Sequence, residues 1–178
     1  MALGDYDKAV LTCVFNPNLP IEEVEVNPTA ELKDEEQCTS LNLQTQQIEI
    51  EAIRLAECGK LEDALNLINS AIELAPERPS LYNNKAHMLQ YLRRFDDAFE
   101  TLTLCIALCT QKHRKTLSQA CAQRGVLHKR AKRLKEARMD FEEAAKLGST
   151  FAKSQLIDLN PYAAICNQML RQVMDELN

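Results

Sequence analysis

The 178-residue sequence has no tryptophan and only four glycines. It also has no run of 18 apolar residues, which argues against a membrane-spanning helix. Without a glycine-rich phosphate-binding loop, the sequence does not indicate a nucleotide-binding enzyme. What it has in abundance is alanine, leucine, glutamate and lysine, a composition that favours an all-helical class.

Seven cysteines, an odd number, are spread along the chain. Several fall at positions that the helical periodicity predicts to be buried, which fits reduced thiols packing as small apolar groups in the cytosol. A chain of this length is one domain and buries about 70% of its unfolded surface, so it needs no disulfide or metal. The first ten residues lack a basic segment followed by an apolar core, so no secretory signal is predicted. We expect a monomer in the cytoplasm, with the nucleus as the alternative.

One stretch, rich in alanine and leucine, recurs twice further along. The three copies read GKLEDALNLINSAIELAPER at 59–78, FDDAFETLTLCIALC at 95–109 and LKEARMDFEEAAKLGS at 134–149. Aligned on Ala64, Ala98 and Ala137, they are separated by 34 and 39 residues. A period near 34 with small residues at fixed places indicates a helical hairpin repeat.

Each copy predicts a helix A, a turn and a helix B. The three units are 45–78, 79–112 and 118–151. Gly59 is expected to end the first helix A, because glycine accepts the positive φ of a C-terminal cap. Arg93 and Lys132 stand in the equivalent places. Small residues mark the predicted helix crossings: Ala52, Ala64 and Ala71; Ala86, Ala98 and Cys105; Gly125, Ala137 and Ala144.

This pattern resembles the tetratricopeptide repeat family, and the matches cover residues 45–151. Glu51 departs from the family pattern where an apolar residue is usual, and Thr110 and Ser149 replace the closing proline. The flanks AVLTCVFNPNLP and LIDLNPYAAICNQML extend the resemblance over the whole chain, to a small three-repeat branch of the family. The resemblance implies an all-α fold, a right-handed superhelical solenoid of three helix-turn-helix units with C-terminal capping helices.

The ends of the chain are predicted to differ from the repeats. Residues 1–44 should form a short helix at Asp5–Val14 and an acidic, partly disordered linker rich in proline. Residues 152–178 should form the capping helices, since a solenoid leaves its last face bare. Asn160 is a good N-cap there, followed by Pro161 at the first helical position.

For function, the resemblance implies a non-enzymatic adaptor that binds other proteins, co-chaperone-like, with a heat-shock chaperone or a client protein as partner. The alternative is a stabilising partner that shields a client, for example a metabolic enzyme, from degradation. The groove lined by the A helices is the expected binding surface. Position along each unit assigns to it Gln46, Glu49, Ile53 and Glu57; Asn83, Asn84, His87 and Tyr91; Gln119, Gln123, Val126 and Arg130.

Some members of the family grip the C-terminal carboxylate of heat-shock chaperones with lysine, asparagine and arginine side chains of their A helices. The matching places here hold Glu49, Ile53, Asn84, Gln119 and Gln123, of which only Asn84 agrees. A two-carboxylate clamp therefore lacks the positive charge it requires.

Charge is sorted along the chain. Residues 1–63 contain 14 acidic and 4 basic residues, a net charge of −10, whereas residues 111–138 contain 10 basic residues and one acid, a net charge of +9. Solvated helix faces explain this sorting most simply. The alternative is a basic patch for an acidic protein segment, which the chain's own acidic front could occupy. Its members are Lys112, Arg114, Lys115, Lys129, Arg130, Lys132 and Arg133.

Other chemistries find little support. Nucleic acid is disfavoured by the scarcity of aromatic residues and the negative overall charge. Cys105, Cys109, Cys121 and His128 could suggest zinc or a Cys–His nucleophile, but closely spaced ligand pairs such as C-x-x-C are absent. Because most of these residues fall at repeat core positions, we predict packing, with no metal, cofactor or catalytic site.

Overall fold

The computed structural model describes residues 33–35 and 40–160, with residues 162 and 169. Within this part the chain forms seven helices and no strand. The helices are α1 Ser40–Glu57, α2 Leu61–Leu74, α3 Pro79–Tyr91, α4 Phe95–Leu108, α5 Arg114–Arg130, α6 Leu134–Lys146 and α7 Thr150–Asp158. The predicted helix Asp5–Val14, the proline-rich linker and most of the last predicted helix lie outside the described residues. Leu32–Leu159 form one compact unit, to which the contacts below belong except the cap at Asn160.

The helices pack as three hairpins. In each pair, α1 with α2, α3 with α4 and α5 with α6, the two helices make their most extensive contacts with each other. Helix α3 also contacts α1 and α5, so the three A helices line up beside one another, and α7 packs against α6. The all-α solenoid of three hairpins is thus confirmed. The exact unit boundaries stay a prediction, since α1 already begins at Ser40.

The turn that ends each A helix has the same hydrogen bonding. In the first turn, the Gly59 N–H donates to the carbonyl of Ala56 and the Lys60 N–H to that of Leu55, at 3.0 and 2.9 Å. This pair of bonds is a Schellman cap, which needs a left-handed residue. Among the described residues, φ is positive at Gly59 (80°), Arg93 (61°) and Lys132 (60°), which end the A helices, and at Gly148 (104°), which follows α6. The missing turn glycines therefore leave the turn geometry unchanged.

The small residues predicted at the crossings are all buried. Ala52, Ala64, Ala98 and Ala137 expose none of their surface, so no space remains beside them for a larger side chain. Gly125 is the tightest case: a Cβ built on it would lie 2.8 and 2.9 Å from ring atoms of Phe141. The α5–α6 crossing thus requires glycine because Phe141 occupies the space of a methyl group.

Large apolar side chains fill the remaining interior. Ile68, Leu81, Leu89, Leu102 and Phe141 are among the largest fully buried side chains. Burying each such side chain contributes about 1.5–3 kcal/mol relative to exposure, so they supply much of the drive for folding.

Two side-chain caps lie at the start of α7 and beyond its end, and only the second, at Asn160, is predicted from the sequence. The Ser149 hydroxyl accepts a hydrogen bond from the Ala152 N–H at 3.1 Å and so caps α7. Beyond α7, the Asn160 side chain accepts from the Tyr162 N–H at 3.1 Å, and Tyr162 is helical. Asn160 therefore acts as the predicted N-cap.

Candidate functional site

An open groove follows the A helices. Its larger part, about 590 Å³, lies between α3, α5 and the start of α7. A smaller part, about 350 Å³, lies between α1 and α3. Asn84 and His87 line both parts, so the two adjoin. The groove is therefore built from one face of each successive A helix.

Most of the groove residues assigned from the sequence line this groove. They are Ile53, Glu57, Asn83, Asn84, His87, Tyr91, Gln119, Gln123 and Val126. Gln90, Lys115 and Phe151 also line it, although the sequence analysis did not assign them. Helical spacing could have indicated two of these, since Gln90 lies seven residues after Asn83 and Lys115 lies four before Gln119.

Side-chain amides form a hydrogen-bonded ladder across α3 and α5. Gln90 Nε2 donates to Gln123 Oε1 at 2.6 Å, and Gln123 Nε2 donates to Asn83 Oδ1 at 2.9 Å. Asn83 Nδ2 in turn donates to Gln119 Oε1 at 3.4 Å. A side-chain amide has two N–H donors and an oxygen with two lone pairs. One bond at each end of an amide therefore leaves capacity to pair with the peptide groups of another chain.

Glu49 does not lie where its position along the unit places it. Its side chain is buried, 7% of its surface being exposed, and Arg78 Nη2 lies 3.0 Å from Glu49 Oε2. Asn84 Nδ2 donates to Glu49 Oε1 at 2.7 Å, while Arg78 Nη1 donates to Thr45 Oγ1 at 3.3 Å. The carboxylate is buried because Arg78, just before α3, neutralises it. An incoming carboxylate therefore meets a closed ion pair, and the Asn84 amide is already engaged.

Gln46 and Arg130 are the other assigned residues that do not line the groove. Gln46 is exposed on α1, and Arg130 packs against α4. Its guanidinium carbon lies 3.6 Å from the centre of the Phe95 ring. A cation placed over an aromatic face is attracted by the negative face of the ring. The preceding residue, Lys129, donates to Gln155 Oε1 at 2.8 Å. The end of α5 is thus directed toward neighbouring helices.

The seven basic residues of the predicted patch form two separate groups. One group is at the start of α5 and contains Lys112, Arg114 and Lys115. The other is at its end and contains Lys129, Arg130, Lys132 and Arg133. A helix of 17 residues is about 25 Å long, about three times the Debye length of roughly 8 Å at physiological salt. The two groups therefore act separately on an ion in solution.

The first basic group meets the acidic front of the chain. The Asp34 carboxylate accepts hydrogen bonds from the Lys115 N–H at 2.8 Å, the Thr116 N–H at 3.2 Å and the Thr116 hydroxyl. Glu35 adds a backbone bond, from its N–H to the Lys112 carbonyl at 2.9 Å. Residues 33–35 thus contact the third hairpin directly.

The buried thiols Cys105 and Cys121 have the character of packing groups. Cys105 is fully buried and its Sγ lies 3.2 Å from the Pro79 carbonyl oxygen. A hydrogen bond with Cys109, and then burial, raise the pKa of the Cys105 thiol. The same hydrogen bond lowers the pKa of Cys109. Across the described residues, no three His, Cys, Asp or Glu side chains are grouped closely enough to hold a metal ion.

Cys121 and His128 are not arranged as a nucleophile and its base. Burial, followed by the charge of Asp140, raises the pKa of Cys121 to about 12. Asp140 itself accepts two bonds from Arg124, at 2.8 and 2.7 Å. Burial also lowers the pKa of His128, whose ring lies edge-on to Phe99 at 5.0 Å. A reactive cysteine needs a lowered pKa, so Cys121 has the opposite character.

Among the helices that the structure describes, none combines the length and apolar character needed to cross a membrane.

These features define the class of protein. Several solved structures that are similar in fold are tetratricopeptide repeat domains. The first such domain of Spaghetti (RPAP3), bound to the HSP90 peptide SRMEEVD, aligns with a TM-score of 0.59 at 21% identity, over 68% of this chain and 94% of that one. The second such domain of human RPAP3, in complex with the HSP70 peptide SGPTIEEVD, aligns with a TM-score of 0.57 at 23% identity, over 67% and 98%. At these identities the likeness shows the fold alone, which is that of a tetratricopeptide repeat domain.

Full-length relatives define the family more narrowly. The chain is 40% identical to tetratricopeptide repeat protein 36 homolog of Drosophila melanogaster, over 99% of this chain and 97% of that protein. It is 42% identical to tetratricopeptide repeat protein 36 of Danio rerio, over 97% and 93%, and 38% identical to the Homo sapiens protein, over 96% and 94%. No family model matches the chain. The chain belongs to the tetratricopeptide repeat protein 36 family, which confirms the resemblance seen over the repeats and their flanks.

Proposed function

We propose that the chain is a monomeric, non-enzymatic adaptor of the cytoplasm that binds an extended segment of a partner protein in the groove of the A helices. The amide ladder of Gln90, Gln123, Asn83 and Gln119 carries this proposal. A groove lined by amides suits main-chain recognition, because each amide can both donate to and accept from a peptide group. We expect micromolar affinity, on the order of −8 kcal/mol.

The spacing of the ladder fits an extended chain. Gln119 and Gln123 are four residues apart on α5, a rise of about 6 Å along the helix axis. Two residues of an extended strand span about 6.6 Å. Successive amides of the ladder can therefore pair with successive peptide groups on one face of the bound segment.

The two ends of the groove differ and would give the segment its direction. Lys115 and Phe151 lie at the α5–α7 end. Ile53, Glu57 and Tyr91 lie at the α1 end. We expect an acidic residue beside Lys115 and an aliphatic residue beside Ile53 and Tyr91. This polarity supports an internal segment of the partner, because only one lysine lines the larger part of the groove and it cannot form a two-carboxylate clamp.

The alternative form of this function is binding of heat-shock chaperones, whose peptides are bound in the two RPAP3 structures. Their peptides end in EEVD and so present acidic side chains together with a terminal carboxylate. In this chain Glu49 is paired with Arg78 and Asn84 is bound to Glu49. We therefore expect SRMEEVD and SGPTIEEVD to bind only weakly. Tight binding of SRMEEVD that Asn84→Ala abolishes would overturn this argument.

The test of the groove uses two matched variants in the third hairpin. Val126→Glu places a charge in the groove, whereas Met139→Glu places the same charge on α6, outside it. Each protein is used to capture partners from cytosol, and the recovered proteins are quantified by mass spectrometry. Partners lost with Val126→Glu and kept with Met139→Glu would support the proposal. Equal capture by both variants would show that the groove is not the binding surface.

The identity of the recovered partner separates the remaining alternatives. A chaperone that depends on Val126 would favour the co-chaperone form. One metabolic enzyme that depends on it would favour the stabilising partner, and the half-life of that enzyme in cells with and without the chain then tests the stabilisation. No change in the half-life would leave the simple adaptor.

A further inference from the structure

The first turn of α5 has no cap of its own. His113 occupies the N-cap position and makes no side-chain hydrogen bond to the helix. The first turn contains no acidic residue and begins with Arg114 and Lys115. Because a helix N-terminus carries partial positive charge, two cations there are unfavourable. The local sequence therefore leaves this turn in need of a carboxylate from elsewhere.

Asp34 supplies that carboxylate from more than 80 residues away in sequence. Its two oxygens accept the hydrogen bonds of Lys115 and Thr116 described above. An N-cap oxygen normally comes from the residue before the helix and accepts one such bond. Here a single side chain satisfies two backbone N–H groups and the buried Thr116 hydroxyl.

The position of Asp34 in the chain gives this contact a mechanical consequence. It lies six residues before Ser40, where α1 begins, and six extended residues reach at most about 20 Å. Neighbouring packed helices are about 8–10 Å apart, so a link of six residues is long enough to reach from α1 across α3 to α5. In a helical repeat each unit contacts only its neighbours. Asp34 and Glu35, which shortly precede the first hairpin in sequence, instead contact the third.

We propose that residues 33–35 form a strap that holds the first and third hairpins together at the Lys115 end of the groove, and that an acidic partner segment releases it by replacing Asp34. Release would affect binding because Lys115 belongs to both the strap contact and the groove. Its backbone N–H is bound to Asp34, and its side chain lines the groove. The second half of the proposal rests on the proposed function, since it assumes a partner in the groove.

The strap is tested by amide hydrogen exchange in the full chain. Asp34→Ala should accelerate exchange at Lys115 and Thr116 by roughly fivefold or more, the effect expected for a lost N-cap. The matched control is Glu35→Ala, because Glu35 contacts α5 through its backbone N–H, and it should change these rates less than twofold. Unchanged rates in Asp34→Ala, or equal acceleration in both variants, would overturn the strap.

Replacement is tested on the Asp34→Ala protein with the peptide ELKDEEQ, which repeats residues 31–37 of the chain. Detached from the chain it loses its effective concentration, which is millimolar for short linkers, so it is added at millimolar concentration. Slower exchange at Lys115 and Thr116 would support replacement by an acidic segment. No change, or the same change with the peptide carrying Asp34→Ala, would overturn it.

The two proposals fail in different measurements. Equal capture by Val126→Glu and Met139→Glu would overturn the groove and leave the exchange at Lys115 and Thr116 to decide the strap. Unchanged exchange in Asp34→Ala together with Val126-dependent capture would overturn the strap alone.

Discussion

Each A helix has one face toward the B helices and one face toward the groove, and the two faces differ in composition. The face toward the B helices is made of small residues, such as Ala52, Ala86 and Gly125, that carry no polar group. The face toward the groove carries side-chain amides, and one of them, Asn84, is hydrogen-bonded to the buried ion pair of Glu49 and Arg78. Gly125 and Val126 show the contrast within α5, because they are adjacent in sequence yet one is buried under Phe141 and the other lines the groove.

The difference between the faces shows what each one tolerates. The crossing face is limited by volume, so one added carbon meets an atom of the next helix. The groove face is limited by pairing, so a side chain there can change size but a buried charge cannot lose its partner. Substitutions that alter only size or only charge therefore distinguish the two faces.

The largest effect is expected at the buried ion pair of Glu49 and Arg78. Arg78→Met should lower the free energy of unfolding by about 3–5 kcal/mol, because it leaves the Glu49 carboxylate buried without its cation. Chemical denaturation measures this change. The double variant Arg78→Met/Glu49→Leu should recover most of it, since an apolar pair of similar volume is often neutral. If the single variant loses less than about 1 kcal/mol, the carboxylate is hydrated and the pair is an ordinary surface contact.

At the crossing of the two helices of the second hairpin, Ala98→Leu on the B helix α4 should lower stability by about 1–3 kcal/mol, the usual effect of overpacking. Ala98 exposes none of its surface. Ala107, on the same helix, is exposed, so Ala107→Leu makes the same chemical change without a crossing. Thermal unfolding of both variants tests the claim. Equal melting temperatures would show that Ala98 does not lie at a close crossing.

A weaker effect is expected for Gly125→Ala, where two contributions oppose each other. The added methyl group would clash with the Phe141 ring, at about 1–3 kcal/mol, whereas alanine favours the helix over glycine by about 1 kcal/mol. We expect a net loss of about 1 kcal/mol. Phe141→Leu frees space at the same crossing, so the double variant should lose at least about 0.5 kcal/mol less than the sum of the singles. If the stability losses of the two single variants simply add in the double variant, Gly125 and Phe141 do not interact.

The crossing face could be read from the sequence almost completely, whereas the groove face could not. Ala64, Ala98 and Ala137 recur at the same place in each unit, because every hairpin requires the same close approach of its two helices. Glu49 carries no such signal, because its burial depends on Arg78, which is distant along the chain. Spacing along a helix shows which residues share a face and says nothing about which partner on another helix neutralises them.

The contact of Asp34 with α5 was indicated only in outline. The sorting of acids and bases offered attraction between the front of the chain and the third hairpin only as the alternative to solvated helix faces. It did not indicate which carboxylate is used, or that the basic residues divide between the two ends of α5. Both outcomes depend on helix geometry, since a helix of this length separates its termini by more than the range of the attraction.

The smallest effect is expected at the turns that join helix A to helix B within each hairpin. Lys132 has a φ of 60°, and a left-handed conformation is unfavourable for a residue with a Cβ, by about 1–2 kcal/mol. Lys132→Gly should therefore stabilise the protein, but only by about 0.5 kcal/mol, because glycine loses more conformational freedom on folding. Arg93→Gly, at the equivalent turn, should have the same sign.

The controls for this prediction isolate the backbone. Ala131 precedes Lys132 and has a φ of −77°, so Ala131→Gly should destabilise by about 0.5–1 kcal/mol through chain entropy alone. Gly59→Ala is the reverse test, since a Cβ on Gly59 would meet nothing within 4 Å, and any loss then comes from its φ of 80°. Stabilisation by Ala131→Gly, or no loss in Gly59→Ala, would contradict the left-handed turn. If the stability changes of all four variants have the expected sign, lysine and arginine adopt the left-handed turn conformation at a small loss of stability. The absence of glycine at these two turns then leaves the hairpin geometry unaltered.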